Sequence, residues 1–369
     1  MRASLVSNLK FRAGAPDKDS RITNCFAAQE KGGIVARKRP GLVTPIYSFP
    51  AGRAQGGENC FFLVGDSIYT CNSGSTAVAP LLDFPSVIVY IPTQNAIWIY
   101  SFFANTRRRF SAVTLAETLP SSFFAAAVDA VYDSTQQVVW ATDGQSNLLY
   151  RHDVSTGNQV GAAITTGTRP YYLAYDVVQN YIWVACQTGQ VLQRFNASTG
   201  AHIGVDITVV SAALGIAYTP VDNAIWVSLA NNTTLRINAA TGTQIGVAIS
   251  VTTTGFTHDS IQNVMWCPNY QTNDGVIRYN ASTGVLIDSV LSGFVVQNLI
   301  YDSVNNRVWA RSTVNIVAFN GITALLAAGP IAFVEPYDIA YDNTQNAVWI
   351  IDRTANTVTK LAAQSGTPL

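Results

Sequence analysis

The sequence predicts an all-β protein, a seven-bladed β-propeller with an extended N-terminal segment, and three observations carry that prediction. Tryptophan recurs as Trp98, Trp140, Trp183, Trp226, Trp266, Trp309 and Trp349, with successive spacings of 42, 43, 43, 40, 43 and 40 residues. An aromatic stands eight residues before each one: Tyr90, Tyr132, Tyr175, Tyr218, His258, Tyr301 and Tyr341. The residues flanking every Trp, such as Ile182 and Val184, are small or apolar, so the strand that carries it needs cover on both faces. A repeat that cannot bury itself must stack on its neighbours, and rungs of about 40 residues match a propeller blade better than a solenoid turn.

Within each repeat the elements follow from turn chemistry. Asp follows the aromatic in five repeats (Asp133, Asp176, Asp259, Asp302 and Asp342), and Asn precedes the Trp by three in six (Asn95, Asn180, Asn223, Asn263, Asn306 and Asn346). Asp at the opening and Asn at the close of a turn predict a hairpin between the first and second strands. A second motif follows in four repeats, beginning at Arg151, Arg194, Arg236 and Arg278 and ending in Thr-Gly, and predicts the turn between the third and fourth strands. The last repeat stops soon after its third strand, at Leu369. Part of residues 59–82, which include the hairpin-like CFFLVGDSIYTC, is therefore expected to close the ring on the last blade. The propeller is assigned to 59–369 and a docking segment to 1–58. The same hairpin would set Cys60 opposite Cys71, where a disulfide is geometrically possible but not implied.

Composition agrees and excludes several classes. Hydrophobic residues make up 48% and charged ones 12%, which suits a packed β protein. No apolar run reaches the roughly 18 residues of a membrane span, and no leader-like stretch opens the chain, so synthesis in a cytoplasm without membrane insertion is expected. On that reading Asn196, Asn231, Asn232 and Asn280 are turn residues and not glycan sites. The five cysteines contain no C-x-x-C pair and indicate neither a complete disulfide framework nor a zinc cage.

Candidate chemistry is sparse. The three histidines (His152, His202 and His258) occupy different blade positions, the repeated Asp residues sit where turns need them, and no nucleotide-binding or serine-hydrolase motif occurs. No catalytic, cofactor-binding or metal-binding residue is assigned. Arg151, Arg194, Arg236 and Arg278 are expected to pair with acids of neighbouring blades, and Arg107 to Arg109 to form a cationic loop.

Charge separates the N-terminus from the rest. Residues 1–53 hold ten Lys or Arg against three acids, leaving twelve against nineteen for residues 54–369. The same stretch holds RAGAPDKDSRITNCF (Arg12 to Phe26), RKRPGL (Arg37 to Leu42) and AQGG (Ala54 to Gly57), followed by FLVGDSIYTC. This order resembles the N-terminus of tail hub or nozzle proteins of short-tailed bacteriophages, including the packaged-DNA stabilisation proteins. The blades are similar to those of NHL and YVTN propellers.

The resemblance implies a non-enzymatic virion component, made in the host cytoplasm and located in the tail. It implies a homo-oligomeric ring, a hexamer, below the portal and adaptor, which helps retain and deliver the genome and lets DNA pass its lumen without sequence specificity. Adaptor or other tail proteins, or fibres, would be the partners. Arg12, Asp17, Lys18, Arg21, Asn24, Arg37, Lys38, Arg39 and Pro40 are expected at the subunit or adaptor interface, and the seven tryptophans as the structural repeat. Two further classes stay open: a ligand- or receptor-binding propeller or tail-fibre attachment protein, and a propeller lyase.

Overall fold

Seven antiparallel sheets follow one another from residue 85 to the C-terminus, and their first strands form a closed ring. The computed structural model describes residues 84–369 except 125, 126, 271 and 273, together with the backbone of short strands upstream of them. Blade 3 shows the plan: an inner strand Pro170–Asp176, then Tyr181–Cys186, Val191–Asn196 and a short outer Ile207–Thr208. Each inner strand neighbours the next around the ring, and the seventh, Pro336–Asp342, lies beside the first, Pro85–Ile91. In blade 4 the outer strand is reduced to isolated bridges at Thr234–Ile249 and Ile237–Gln244.

Burial explains the tryptophan period. Trp98, Trp140, Trp183, Trp226, Trp266, Trp309 and Trp349 are all fully buried, and strands that carry them, such as Ala224–Leu229 and Ala347–Asp352, are buried at every position. Trp183 packs against Ile225 and Val227 of the following blade, Trp140 against Ile182 and Val184, and Trp309 against Val348 and Ile350. Each Trp thus seals one blade to the next, where removing so large a side chain costs about 3–5 kcal/mol.

The turn chemistry does what the residue types predict. Asp176 Oδ1 accepts the N–H groups of Val178 and Gln179, and Asp133, Asp259, Asp302 and Asp342 repeat the arrangement. The six repeated asparagines are left-handed, with φ between 44° and 55°, a region short polar side chains tolerate best. In the blade without that Asn, Gln137 takes the position at φ 56°. The hydroxyl of Tyr175 donates to Asn180 Oδ1 at 3.1 Å, as other aromatics do in their own blades. Between third and fourth strands Asn196 Oδ1 accepts from Ser198 and Thr199, and Gly200 closes the turn at φ 78°.

Blade 7 is built from both ends of the described chain. Its third strand, Thr357–Ala362, pairs with Ala79–Pro80 through Val358–Ala79 and Thr357–Pro80, while Leu361 bridges Pro368. These registers match those of blade 3, where Leu192 pairs with Ile207 and Phe195 bridges His202. A position continuous in blade 3 is therefore divided between two distant segments in blade 7.

The chain divides into two compact units, Met1–Ser75 and Thr76–Leu369. The first holds a three-stranded sheet, Cys25–Glu30, Gly33–Lys38 and Pro45–Ser48, and the hairpin Cys60–Val64 with Ser67–Cys71, in which Cys60 is in register with Cys71.

Candidate functional site

The cations of the propeller divide into two groups. Across the second and third strands, Trp140 pairs with Arg151, Trp183 with Arg194, Trp226 with Arg236, Trp266 with Arg278 and Trp349 with Lys360. Each cation lies over its tryptophan, 5.0–5.8 Å from the ring centroid. In blade 1 Arg107 takes this place, 4.5 Å over Trp98. Blade 6 departs from the pattern: Trp309 is in register with Ala318, so the third strand brings it no cation.

The charged ends then cross to the following blade. Arg151 donates to Ser198 O at 3.0 Å, Arg194 to Ala240 O at 3.2 Å, Arg236 to Ala281 O at 3.4 Å and Arg278 to Ile322 O at 3.0 Å. Arg107 and Arg109 reach the corresponding turn of blade 2 at Gly157 and Val154, and Lys360 Nζ closes the circle on Ala112 O at 3.1 Å. In blade 6 Arg307, two residues before Trp309, makes the crossing to Gln364 from the second strand instead. The acceptors are turn carbonyls and not acids of the neighbouring blade, which corrects the expected pairing. A carbonyl at the end of a tight turn has an unsatisfied lone pair, and a guanidinium resting on a ring face can supply the donor without a second buried charge. Arg107 to Arg109 lie on the strand Thr106–Ser111 and not on a loop, and Arg108 pairs with Glu117 at 2.7 Å.

Of the twelve cations in residues 54–369, these bridges engage eight and Glu117 a ninth. The remaining three, Arg169, Arg311 and Arg353, belong to one end of the central channel, where inner strands begin and second strands finish. Arg311 and Arg353 share one ring, their guanidinium carbons 5.5 and 3.2 Å from the centroid of Tyr337. Arg169 stacks on Tyr171 at 4.9 Å and donates to its hydroxyl at 2.7 Å. Tyr171 and Tyr337 hold the same repeat position, twelve residues before their tryptophans.

Two acids border this mouth. Asp129 accepts Leu173 N–H of the following blade and its neighbour Ala130 N–H, both at 2.8 Å. Asp338 accepts Ile88 N–H at 3.0 Å, Ile339 N–H and the Asn298 amide. Burial pushes Asp129 up to about 7, with the charge of Asp338 adding to the rise, and pushes Asp338 up to about 6. Burial also lowers Arg311, against support from Asp338, Tyr337 and Tyr270. At the other end of the channel, blades 2 to 4 enclose an apolar depression of about 490 Å³ lined by Val131, Leu173, Ala174, Ile216 and Ala217 among others.

The residues singled out in the sequence are distributed differently. The seven tryptophans are at the blade interfaces, and the three histidines lie in blades 2, 3 and 5. Arg37 and Lys38 end the strand Gly33–Lys38, whereas Arg12, Asp17, Lys18, Arg21, Asn24, Arg39 and Pro40 lie outside the described residues. Among the described residues no group of three or more His, Cys, Asp or Glu could hold a metal ion. The mouth arginines escaped the sequence reading because they do not recur, although being the cations out of register with the repeat is a signal in itself.

No family model matches the chain, and no curated protein does either. Among solved structures it is similar to a chain from the crystal structure of the mitotic checkpoint complex, at 10% identity and a TM-score of 0.64, covering 77% of this chain and 92% of that one. At that identity the likeness shows the propeller fold alone.

Proposed function

We propose that this propeller is a non-enzymatic interaction scaffold, a structural component of a short-tailed bacteriophage tail at the hub or nozzle position. The observation that carries this reading is the placement of positive charge. Residues 1–53 hold ten cations against three acids, while nine of the twelve cations that follow bridge blade to blade. The basic segment is thus the part suited to docking on a neighbouring acidic subunit, and the propeller is a rigid body that it attaches. The motifs from Arg12 to Cys71 support the tail-protein reading by their resemblance to tail hub proteins, and that reading carries with it the ring of copies and the adaptor and genome as neighbours.

The test is incorporation of the full chain, and of a chain lacking residues 1–45, into phage particles, read by peptide mass spectrometry of purified virions. Incorporation of the full chain alone supports the reading. Equal incorporation of both, or of neither, contradicts it.

A further inference from the structure

The seven repeats act as an alignment within one chain. Positions that recur around the ring serve packing, turns and blade-to-blade bridging. A position that recurs in form but not in residue is where one blade differs from the rest, either to replace a missing bridge, as Arg307 does, or for a role the repeat does not supply. Two residues after the tryptophans the chain reads Tyr100, Thr142, Ala185, Ser228, Pro268, Arg311 and Ile351, and four after, Phe102, Gly144, Gln187, Ala230, Tyr270, Thr313 and Arg353. A cation appears once in each series, in adjacent blades, and both lie over the same tyrosine.

Two guanidinium groups on one ring repel each other, and here little balances them. Neither Arg311 nor Arg353 forms an ion pair among the described residues, nor does Arg169. Asp338 is within electrostatic range of Arg311, but its oxygens are taken by Ile88, Ile339 and Asn298. Arg311 Nη1 bonds Gln297 Oε1 and Pro336 O of blade 7, which leaves its Nε–Nη2 edge, and the Nε atoms of both arginines are buried without a partner, as are those of the bridging Arg151, Arg194 and Arg236. Buried donors without acceptors are costly unless something else meets them.

We propose that this mouth of the channel binds a planar carboxylate, gripped by the Nε edges of Arg311 and Arg353 beside Tyr337. The Arg169–Tyr171 stack, three blades away around the ring, adds positive charge and an aromatic wall. A carboxylate fits better than a tetrahedral anion because the guanidinium edge presents two parallel donors to two coplanar oxygens. The Tyr172 hydroxyl, held neutral by burial and near Tyr337 and Tyr270, can donate to the rest of the ligand.

The test is titration of the full chain with D-glucuronate and with L-glutamate, followed by calorimetry, with glucose and inorganic phosphate as comparisons. The two carboxylates separate an acidic sugar from an amino-acid source. Saturable binding of at least one, weakened about tenfold or more by Arg311→Gln and by Arg353→Gln and unchanged by the third-strand Arg108→Gln, is the expected result. Arg353→Lys keeps the charge but loses the fork, and should retain only part of the affinity. If Arg311→Gln disturbs folding, Arg353, just beyond the strand Ala347–Asp352, carries the test alone. The inference is overturned if neither carboxylate binds, if phosphate binds as tightly, or if Arg353→Gln leaves binding intact. These outcomes are independent of virion incorporation.

Discussion

The guanidinium of Arg194 lies 5.5 Å from the ring centroid of Trp183 and donates past it to the carbonyl of Ala240 in the next blade. One side chain therefore ties the residue that buries a blade to the turn that ends its neighbour. Replacing Arg194 with Met keeps the stem over the ring but removes the charge and the donor. Equilibrium denaturation should show a loss of about 1–3 kcal/mol. Arg194→Lys should lose less, since Lys360 does the same work over Trp349 in blade 7.

A buried histidine and a half-buried aspartate give stability opposite pH dependences. His152, stacked on Tyr150, is held down to about 3 by burial, with the nearby Arg107 adding to the effect. The unfolded chain binds its proton more readily, so this contribution is present above the ordinary value of 6.5 and is lost as pH falls toward 3. Asp129 is raised by burial from 3.8 to about 7, so the folded form binds the proton more readily. Its contribution is full below 3.8 and disappears as pH rises through 7. Thermal denaturation from pH 4 to 8 should show His152→Phe flattening the acid limb and Asp129→Asn the limb between about 4 and 7, each by at most about 1.4 kcal/mol per pH unit. Asn should be tolerated, because blade 6 carries Asn298 at the corresponding register.

Closure depends on two residues far from the strand they complete. A chain beginning at residue 76 keeps Ala79–Pro80, and one beginning at residue 83 exposes the edge of Thr357–Ala362. The shorter chain should melt at a lower temperature and aggregate at concentrations where the longer one stays dispersed, as an unpaired strand edge invites. Light scattering during a thermal ramp measures both.

What the sequence revealed and what it hid follow from the same repetition. A Trp period, an Asp that opens turns and an Asn that closes them are local in origin, so seven copies made blade number, strand order and hairpins legible from the residues alone. The acceptors of Arg151 and Arg236 were not legible, because backbone carbonyls carry no sequence signal. Nor was the exception in blade 6, where the Trp309 repeat keeps its packing role and moves its bridging cation to Arg307. The mouth formed by Arg169, Arg311 and Arg353 was hidden for a further reason: these residues come from blades 3, 6 and 7, and only closing the ring brings them to one end of the channel. A repeat advertises its structural positions and conceals its singular ones.

Most cations of the propeller bridge blade to blade, Arg311 at the mouth among them through Pro336 O of blade 7, whereas Arg353 stacks on Tyr337 of its own blade, and on that division the functional reading rests. The most direct measurement compares the melting temperatures of Arg236→Gln, a blade-bridging change, and Arg353→Gln, a change at the mouth, against the unaltered protein. A drop of about 2 °C or more is predicted for the first and no drop for the second. Equal drops for both, or a drop confined to Arg353→Gln, would contradict it.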